Sequence, residues 1–357
     1  MTDRTNDIAR PAPATTRIRV AVVGLGAIGQ EHAAIVHGYP GSELAGVVEP
    51  QPEVCGQVAS QYGVPAYPDI ATVLADDAVD AVSLCTPDHL HFDDACQVIA
   101  AGKHLLLEKP IATTADEVDK LTQLTEDAEI VAMPGHTLRF EPRYHYAHSL
   151  VRTGALGRLS HGYLRRDNKV EVADRARGRV SAAFFLGVHD IDALMWITGQ
   201  DIVEVQAMQP ASTESTGTQS TAVLGGLRLA DGSVVQIESA WNLPANFPTE
   251  LDARFRLVGS DGEISIDSFD SGIHVSGPTF DLPMPAGTPM YGRPQGPLAV
   301  EIEAFIRACR GEIDLPITIR EAAKAVKVLI ALEHAVSTGS TVPVEPVALN
   351  TVASGRG

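Results

Sequence analysis

Several functional classes are set aside by what this chain lacks. It carries four cysteines, Cys55, Cys85, Cys96 and Cys309, with no C-x-x-C pair among them. Neither a disulfide framework nor a cysteine zinc cluster is expected, and free thiols in a reducing cytoplasm fit best. Basic residues are few: 27 Lys and Arg stand against 45 Asp and Glu, a formal net charge of −18. Such a field repels a phosphate backbone, so nucleic acid is not expected as a main partner. Long apolar runs are missing too. The longest, Val20 to Ile28, includes four Gly or Ala residues and falls far short of the roughly 20 that a membrane helix needs, so no membrane partner is expected. The opening MTDRTNDIARPAPATT has charges of both signs and no apolar h-region. It reads as a loose tail, not a signal peptide, which keeps the expected location cytoplasmic.

What remains is an ordinary soluble composition, 45% hydrophobic and 20% charged over 357 residues, long enough for two domains. From Arg17 the pattern alternates short β-branched runs with longer helical stretches. Runs at 18–23, 44–48, 81–85, 105–107 and 130–133 alternate with helical segments near 27–37, 51–62, 88–101 and 114–127. That alternation predicts a doubly wound parallel sheet of about five strands, an α/β Rossmann unit over residues 17–138. After Pro134-Gly135 and Glu141-Pro142 the texture changes. Strand-like runs joined by turn signals such as Asp231-Gly232 and Asp261-Gly262 predict a second α+β unit over 139–345 with a large, mostly antiparallel sheet. Helices are expected at GVHDIDALMWITGQ, 297–310 and 320–338. Residues 210–220 read as an exposed loop, and 1–16 and 346–357 as tails.

Directly after the first strand stands Gly24-Leu25-Gly26-Ala27-Ile28-Gly29, a G-x-G-x-x-G opening a helix. Gly24 suits the tight turn, Gly26 a close backbone approach to a pyrophosphate, and Gly29 close packing of helix on strand. The helix N-terminus offers free N–H groups and partial positive charge. Glu49 follows at the end of the second strand, placed to accept from adenosine ribose hydroxyls, and no Arg or Lys beside it waits for a 2′-phosphate. NAD is therefore expected over NADP. His32, on the same helix, reads as a packed histidine.

Three further segments make a family resemblance specific: Thr86-Pro87-Asp88-His89-Leu90-His91, Glu108-Lys109-Pro110 and GVHDIDALMWITG. With the glycine motif they resemble the glucose-fructose oxidoreductase/inositol dehydrogenase (Gfo/Idh/MocA) family, in order, from about residue 18 to 340. The resemblance implies NAD(P)-dependent redox chemistry on sugars or polyols, and a homodimer or homotetramer formed through the C-terminal sheet. It places Thr86, Pro87 and His91 beside the nicotinamide half of the cofactor, with Glu108 and Lys109 close by, and credits His189 with proton transfer.

The residues suit that chemistry. Lys109 follows a strand-like run, so it stands at the carboxyl end of a parallel strand, where open α/β sheets bind ligands. An alcohol gives up hydride only as its hydroxyl proton leaves; an ammonium stabilises the developing alkoxide and an imidazole takes the proton. A surface lysine, and a structural histidine bridging to Asp192, are the plainer readings of the same residues. At 100° per residue His189, Asp192 and Trp196 share one helical face, and Val188, Ile191 and Met195 form an apolar stripe on another.

Phe185 stands four residues before His189, where many catalytic relatives carry Asp. Asp190 or Asp192 is then a candidate for the missing carboxylate, and a redox-neutral glycosidase or lyase, or a non-catalytic NAD-binding regulator, are the alternative functions. Between Arg158 and Arg179 lie seven of the 27 basic residues. Arg165, Asn168 and Lys169 in this stretch fit gripping a substrate hydroxyl, carboxylate or phosphate, or else a solvated or subunit-facing strand. No metal site is expected: His89 and His91, or His145 and His148, lack a third ligand.

Overall fold

The computed structural model describes residues 17–171, 179–211, 221–270, 275–276, 280–281 and 289–348. Residues 1–16, 212–220 and 349–357, which carry the expected tails and exposed loop, lie outside the described residues, as do Arg175 and Arg177.

The first sheet contains β1 (Ile18–Val23), β2 (Ser42–Val48), β3 (Ala66–Tyr67), β4 (Ala81–Leu84), β5 (His104–Glu108) and β6 (Ala132–Gly135), in the order 3-2-1-4-5-6, all parallel. Its central strands are Val-, Ala- and Leu-rich and buried along their length, as a sheet covered on both faces requires. The helices between them are α1 (Ala27–Gly38), α2 (Pro52–Tyr62), α3 (Ile70–Leu74), α4 (His91–Ala100) and α5 (Ala115–Asp127). Local chemistry sets their ends. Pro52 starts α2 and Gly63, left-handed at φ 67°, ends it. Thr114 and Glu117 form a capping box on α5. The sheet has six strands, not about five: β3 is two residues long, too short to leave a periodic signal, and α3 is likewise unannounced.

The strand order reverses between β1 and β4. The loops that leave their carboxyl ends therefore diverge and leave a crevice between them.

After α6 (Pro142–Arg152), which sequence periodicity did not announce, comes β7 (Leu159–Lys169). A π-helical turn over Ala183–Gly187 then runs into α7 (Val188–Thr198). The strands β8 (Ile202–Met208), β9 (Ala222–Leu229), β10 (Val234–Leu243), β11 (Leu251–Gly259) and β12 (Glu263–Asp267) follow. A short pair β13 (Val275–Ser276) and β14 (Phe280–Asp281) lies apart, and α8 (Pro297–Cys309), α9 (Ile319–Thr338) and β15 (Val342–Pro343) close the chain. The second sheet runs 12-11-7-10-9-8-15; β7 and β10 are parallel and the other pairs antiparallel. Helices α7 and α9 cover one of its faces.

Helix α9 also packs on α5, and α8 on α1. Lys327 to Asp119 at 2.7 Å and Arg320 to Glu126 at 2.5 Å add ion pairs across this junction. Past the carboxyl ends of β5 and β6, Lys109 reaches Phe185 in the π-helical turn and His136 lies beside Asp192 of α7.

Candidate active site

The glycine loop is shaped by backbone crowding on one side and open space on the other. Gly24 has φ 87°, and a Cβ there would stand 2.6 Å from the Cys85 carbonyl oxygen. At Gly29 a Cβ would run into the Gly24 carbonyl oxygen, whereas at Gly26 it would meet nothing within 4 Å. Gly26, Ala27 and Ile28 are exposed, and α1 begins at Gly26 with no side-chain cap. Its first amides therefore face open space, a fit for a pyrophosphate. Glu49 closes the loop from the next strand, accepting the Leu25 N–H through Oε2 at 2.9 Å and the Gln51 N–H through Oε1 at 3.2 Å. Gly29→Ala is expected to cost about 1–3 kcal/mol of stability through overpacking and to weaken NAD binding; thermal melts with and without NAD check both.

The loops after β4 and β5 are strapped together by His91. Its Nδ1 lies 2.6 Å from the Pro110 carbonyl oxygen and its Nε2 2.7 Å from that of Thr86, and the ring is buried. With both nitrogens engaged, His91 holds the two loops together. Thr86 donates through Oγ1 to Asp94 at 2.9 Å, while Pro87 is exposed. Asp88, in the same segment, accepts from Arg179 Nε at 3.2 Å, which ties this loop to the second unit.

Lys109 stands at the carboxyl end of β5, followed by a cis peptide to Pro110. Its Nζ donates to the Phe185 carbonyl oxygen at 3.2 Å and lies 4.5 Å from the centre of the Phe185 ring. Phe185 lies in the π-helical turn that leads into His189, so the ammonium is anchored one turn ahead of the imidazole. Lys109 acts on the imidazole electrostatically. Burial first, then the charges of Lys109, Arg166 and His136, pushes the His189 imidazolium well below its ordinary range. Burial also lowers Lys109, against the opposing pull of Glu108 and with a further push from Arg166.

Arg166 and His136 were not singled out from the sequence. Arg166 projects from β7 onto the helix-covered face and holds Asp190 with two bonds, 2.6 and 2.9 Å. His136 follows β6 directly, so the carboxyl-end rule that points to Lys109 points to it as well. It is buried, with Nδ1 3.4 Å from Asp192.

Three of the four residues expected at the substrate are engaged by other side chains. Arg165 alternates with Arg166 and therefore lies on the opposite, open face of the sheet, where it pairs with Asp252 at 2.5 Å. Lys169 is drawn to Glu250 at 3.6 Å. Asn168 keeps the parity of Arg166 and is the one member of that trio on the helix-covered side. Asp192 is 1% exposed and held by Arg139 through two bonds of 2.9 and 2.7 Å. Because α7 is enclosed on nearly every side, eight of its eleven residues being buried, the face that carries Asp192 is filled by this ion pair. Asp190 is equally committed to Arg166, so neither Asp supplies a free carboxylate, and no acidic group is among those acting on His189.

A sequence profile described as an oxidoreductase family with an NAD-binding Rossmann fold (GFO_IDH_MocA) matches residues 18–136, and that of the GFO/IDH/MocA C-terminal domain matches residues 144–265. The chain belongs to the Gfo/Idh/MocA oxidoreductase family. Among characterised Gfo/Idh/MocA relatives it is 28% identical to the UDP-N-acetylglucosamine 3-dehydrogenase of Acidithiobacillus ferrooxidans over 295 residues, 82% of this chain and 88% of that one. It is 26% identical to the scyllo-inositol 2-dehydrogenase (NAD(+)) of Bacillus subtilis over 257 residues, 70% and 74% of the two chains. The fold matches that of GenD2 from gentamicin A biosynthesis in complex with NAD at a TM-score of 0.83, with 22% identity over 95% of this chain and 99% of that one. It also matches the scyllo-inositol dehydrogenase of Lactobacillus casei with bound NAD(H) and scyllo-inositol, at a TM-score of 0.80 with 20% identity over 92% and 99%. The Gfo/Idh/MocA chain is thus an NAD-binding oxidoreductase, and none of its described helices is long and apolar enough to cross a membrane.

Proposed function

We propose that this protein oxidises a secondary alcohol of a sugar, inositol or related polyol, in a crevice between a cofactor unit of residues 17–138 and a substrate unit of residues 139–345. The observation that carries the reading is the anchoring of the Lys109 ammonium on the Phe185 carbonyl, one turn ahead of the His189 imidazole whose protonation it opposes. The uncapped start of α1, with Gly26 open above it and Glu49 beside it, would hold the NAD pyrophosphate and adenosine ribose. Glu49 carries a charge that repels the 2′-phosphate of NADP. When bound, NAD supplies the hydride acceptor.

The chain's own residues handle the oxygen and its proton. Lys109 stabilises the alkoxide that develops as the hydroxyl proton leaves, and His189, neutral at physiological pH, receives that proton. The Lys109 ammonium and the Arg166 guanidinium lead the charges acting on His189, and no carboxylate is among them. A substrate carrying a carboxylate offsets that field and raises the basicity of the imidazole, so acidic derivatives fit this site better than neutral polyols. Assembly as a homodimer or homotetramer fits the open face of the second sheet, where Met208, Leu224 and Val234 are exposed around a groove of about 680 Å³.

The test is a panel of sugars, inositols and their acids offered with NAD or NADP, followed by nicotinamide absorbance. The expected result is steady reduction of NAD, faster with an acid than with its parent polyol and slower with NADP. Tightly held NAD that never turns over with any member of the panel would overturn the reading.

A further inference from the structure

Three side chains remote in sequence meet behind Lys109: His32 from α1, Glu108 from the end of β5, and Glu301 from α8. Their nearest polar atoms lie within 4.8 Å of one another, and all three are buried. His32 Nδ1 is 2.7 Å from Ser83 Oγ, and its Nε2 is 3.3 Å from Glu108 Oε1. Glu108 accepts the backbone N–H of Lys109 through Oε2 at 3.3 Å. Glu301 is 0% exposed, and neither of its oxygens has a partner in good hydrogen-bond geometry. Three neighbours face it: Glu108, His32 and the Thr137 hydroxyl. Beyond them, the Cys85 thiol faces His32, and Lys109 and His91 face Glu108.

Two carboxylates cannot both ionise cheaply in a site this dry, because each is denied water and repels the other. The environment tells them apart. Burial raises both, but the hydrogen bond and charge of His32, with help from Lys109, outweigh it at Glu108 and hold that group low. At Glu301 burial and the facing Glu108 push the carboxyl up to about 8. We propose that Glu301 is a positioning residue of this site, sharing one proton with Glu108 so that the pair carries a single negative charge behind the Lys109 ammonium. Glu108 then stays in place to accept the Lys109 N–H and to sustain the ammonium against burial. The catalytic consequence rests on the role given to Lys109; the shared proton does not. A divalent cation would satisfy the same three groups, but a proton does so without an entry path.

The experiment uses the full chain, as parent, Glu301→Gln, Glu301→Ala and Lys109→Met. Urea unfolding is followed from pH 5 to 9, with kcat against pH and the zinc and manganese content of the parent and Glu301→Gln. A carboxyl raised in the folded state contributes stability that is complete below its ordinary range and is lost as pH rises through about 8. Parent stability and kcat should therefore fall toward alkaline pH, and Glu301→Gln, permanently neutral and able to donate an N–H, should flatten both. At pH 7 Glu301→Ala should lose about tenfold in kcat by leaving Glu108 without its donor, a loss that Gln rescues. Lys109→Met should keep the parental stability slope, so a flat slope in the parent counts against the shared proton, while full turnover in Lys109→Met counts against the role of Lys109. A parental slope retained in Glu301→Gln, or stoichiometric zinc or manganese that only the parent binds, would overturn the inference.

Discussion

Lys109→Met is expected to lower kcat at least about a hundredfold, the scale found when a charge that acts mainly in the transition state is removed. Methionine keeps much of the length and all of the apolar stem, so the change removes the ammonium and its bond to the Phe185 carbonyl while leaving the glycine loop untouched. NAD affinity should stay within a few-fold of the parent. The residual rate carries a second signature. His189 is held below its ordinary range by burial and by the charges of Lys109, Arg166 and His136. Removing one of these cations lets the imidazole protonate at higher pH, so the acid limb of the oxidation profile should move up in the variant. Steady-state kinetics from pH 5 to 9 measure both effects, and an unchanged kcat would refute the assignment of Lys109.

Asp190→Ala should be the most destabilising single change near the site. Arg166 and Asp190 are both buried and joined by two short bonds. Taking away the carboxylate strands a buried guanidinium beside Lys109 and His189, for which about 3–5 kcal/mol is the usual cost. Replacing both partners by apolar residues, Arg166→Met with Asp190→Leu, should recover most of that stability. Activity should not recover with it, because Arg166 is one of the cations that set the field at His189. Urea unfolding of Asp190→Ala and of the double variant checks the first claim, and turnover of the double variant checks the second.

Much of the fold was legible because its signals are local. Buried parallel strands leave continuous apolar runs, and helix ends carry their own caps, so the glycine loop, Glu49 and Lys109 could be placed by counting from strand ends. The misplaced residues depend on information that no local window holds. Whether Arg165 or Arg166 faces the helices is set by the pairing of β7 with β10 and β11, and a shift of one residue exchanges the two faces. The turn over Ala183–Gly187 is π-helical, which no sequence period announced, and it is the backbone of Phe185, together with its ring, that meets Lys109. Asp192 looked available because it lies off the apolar stripe of its helix, yet its partner Arg139 lies 53 residues earlier. The meeting of His32, Glu108 and Glu301 spans most of the chain and leaves no periodic trace.

The central claim is that an ammonium and an imidazole converge on one substrate oxygen. A crystal structure of the complex with NAD and a polyol or sugar acid that turns over measures this directly. The account predicts the Lys109 Nζ and one His189 ring nitrogen within hydrogen-bond distance of the same hydroxyl oxygen, with the carbon that bears it against the nicotinamide ring. A substrate whose reacting hydroxyl touches only one of the two, or neither, would contradict it.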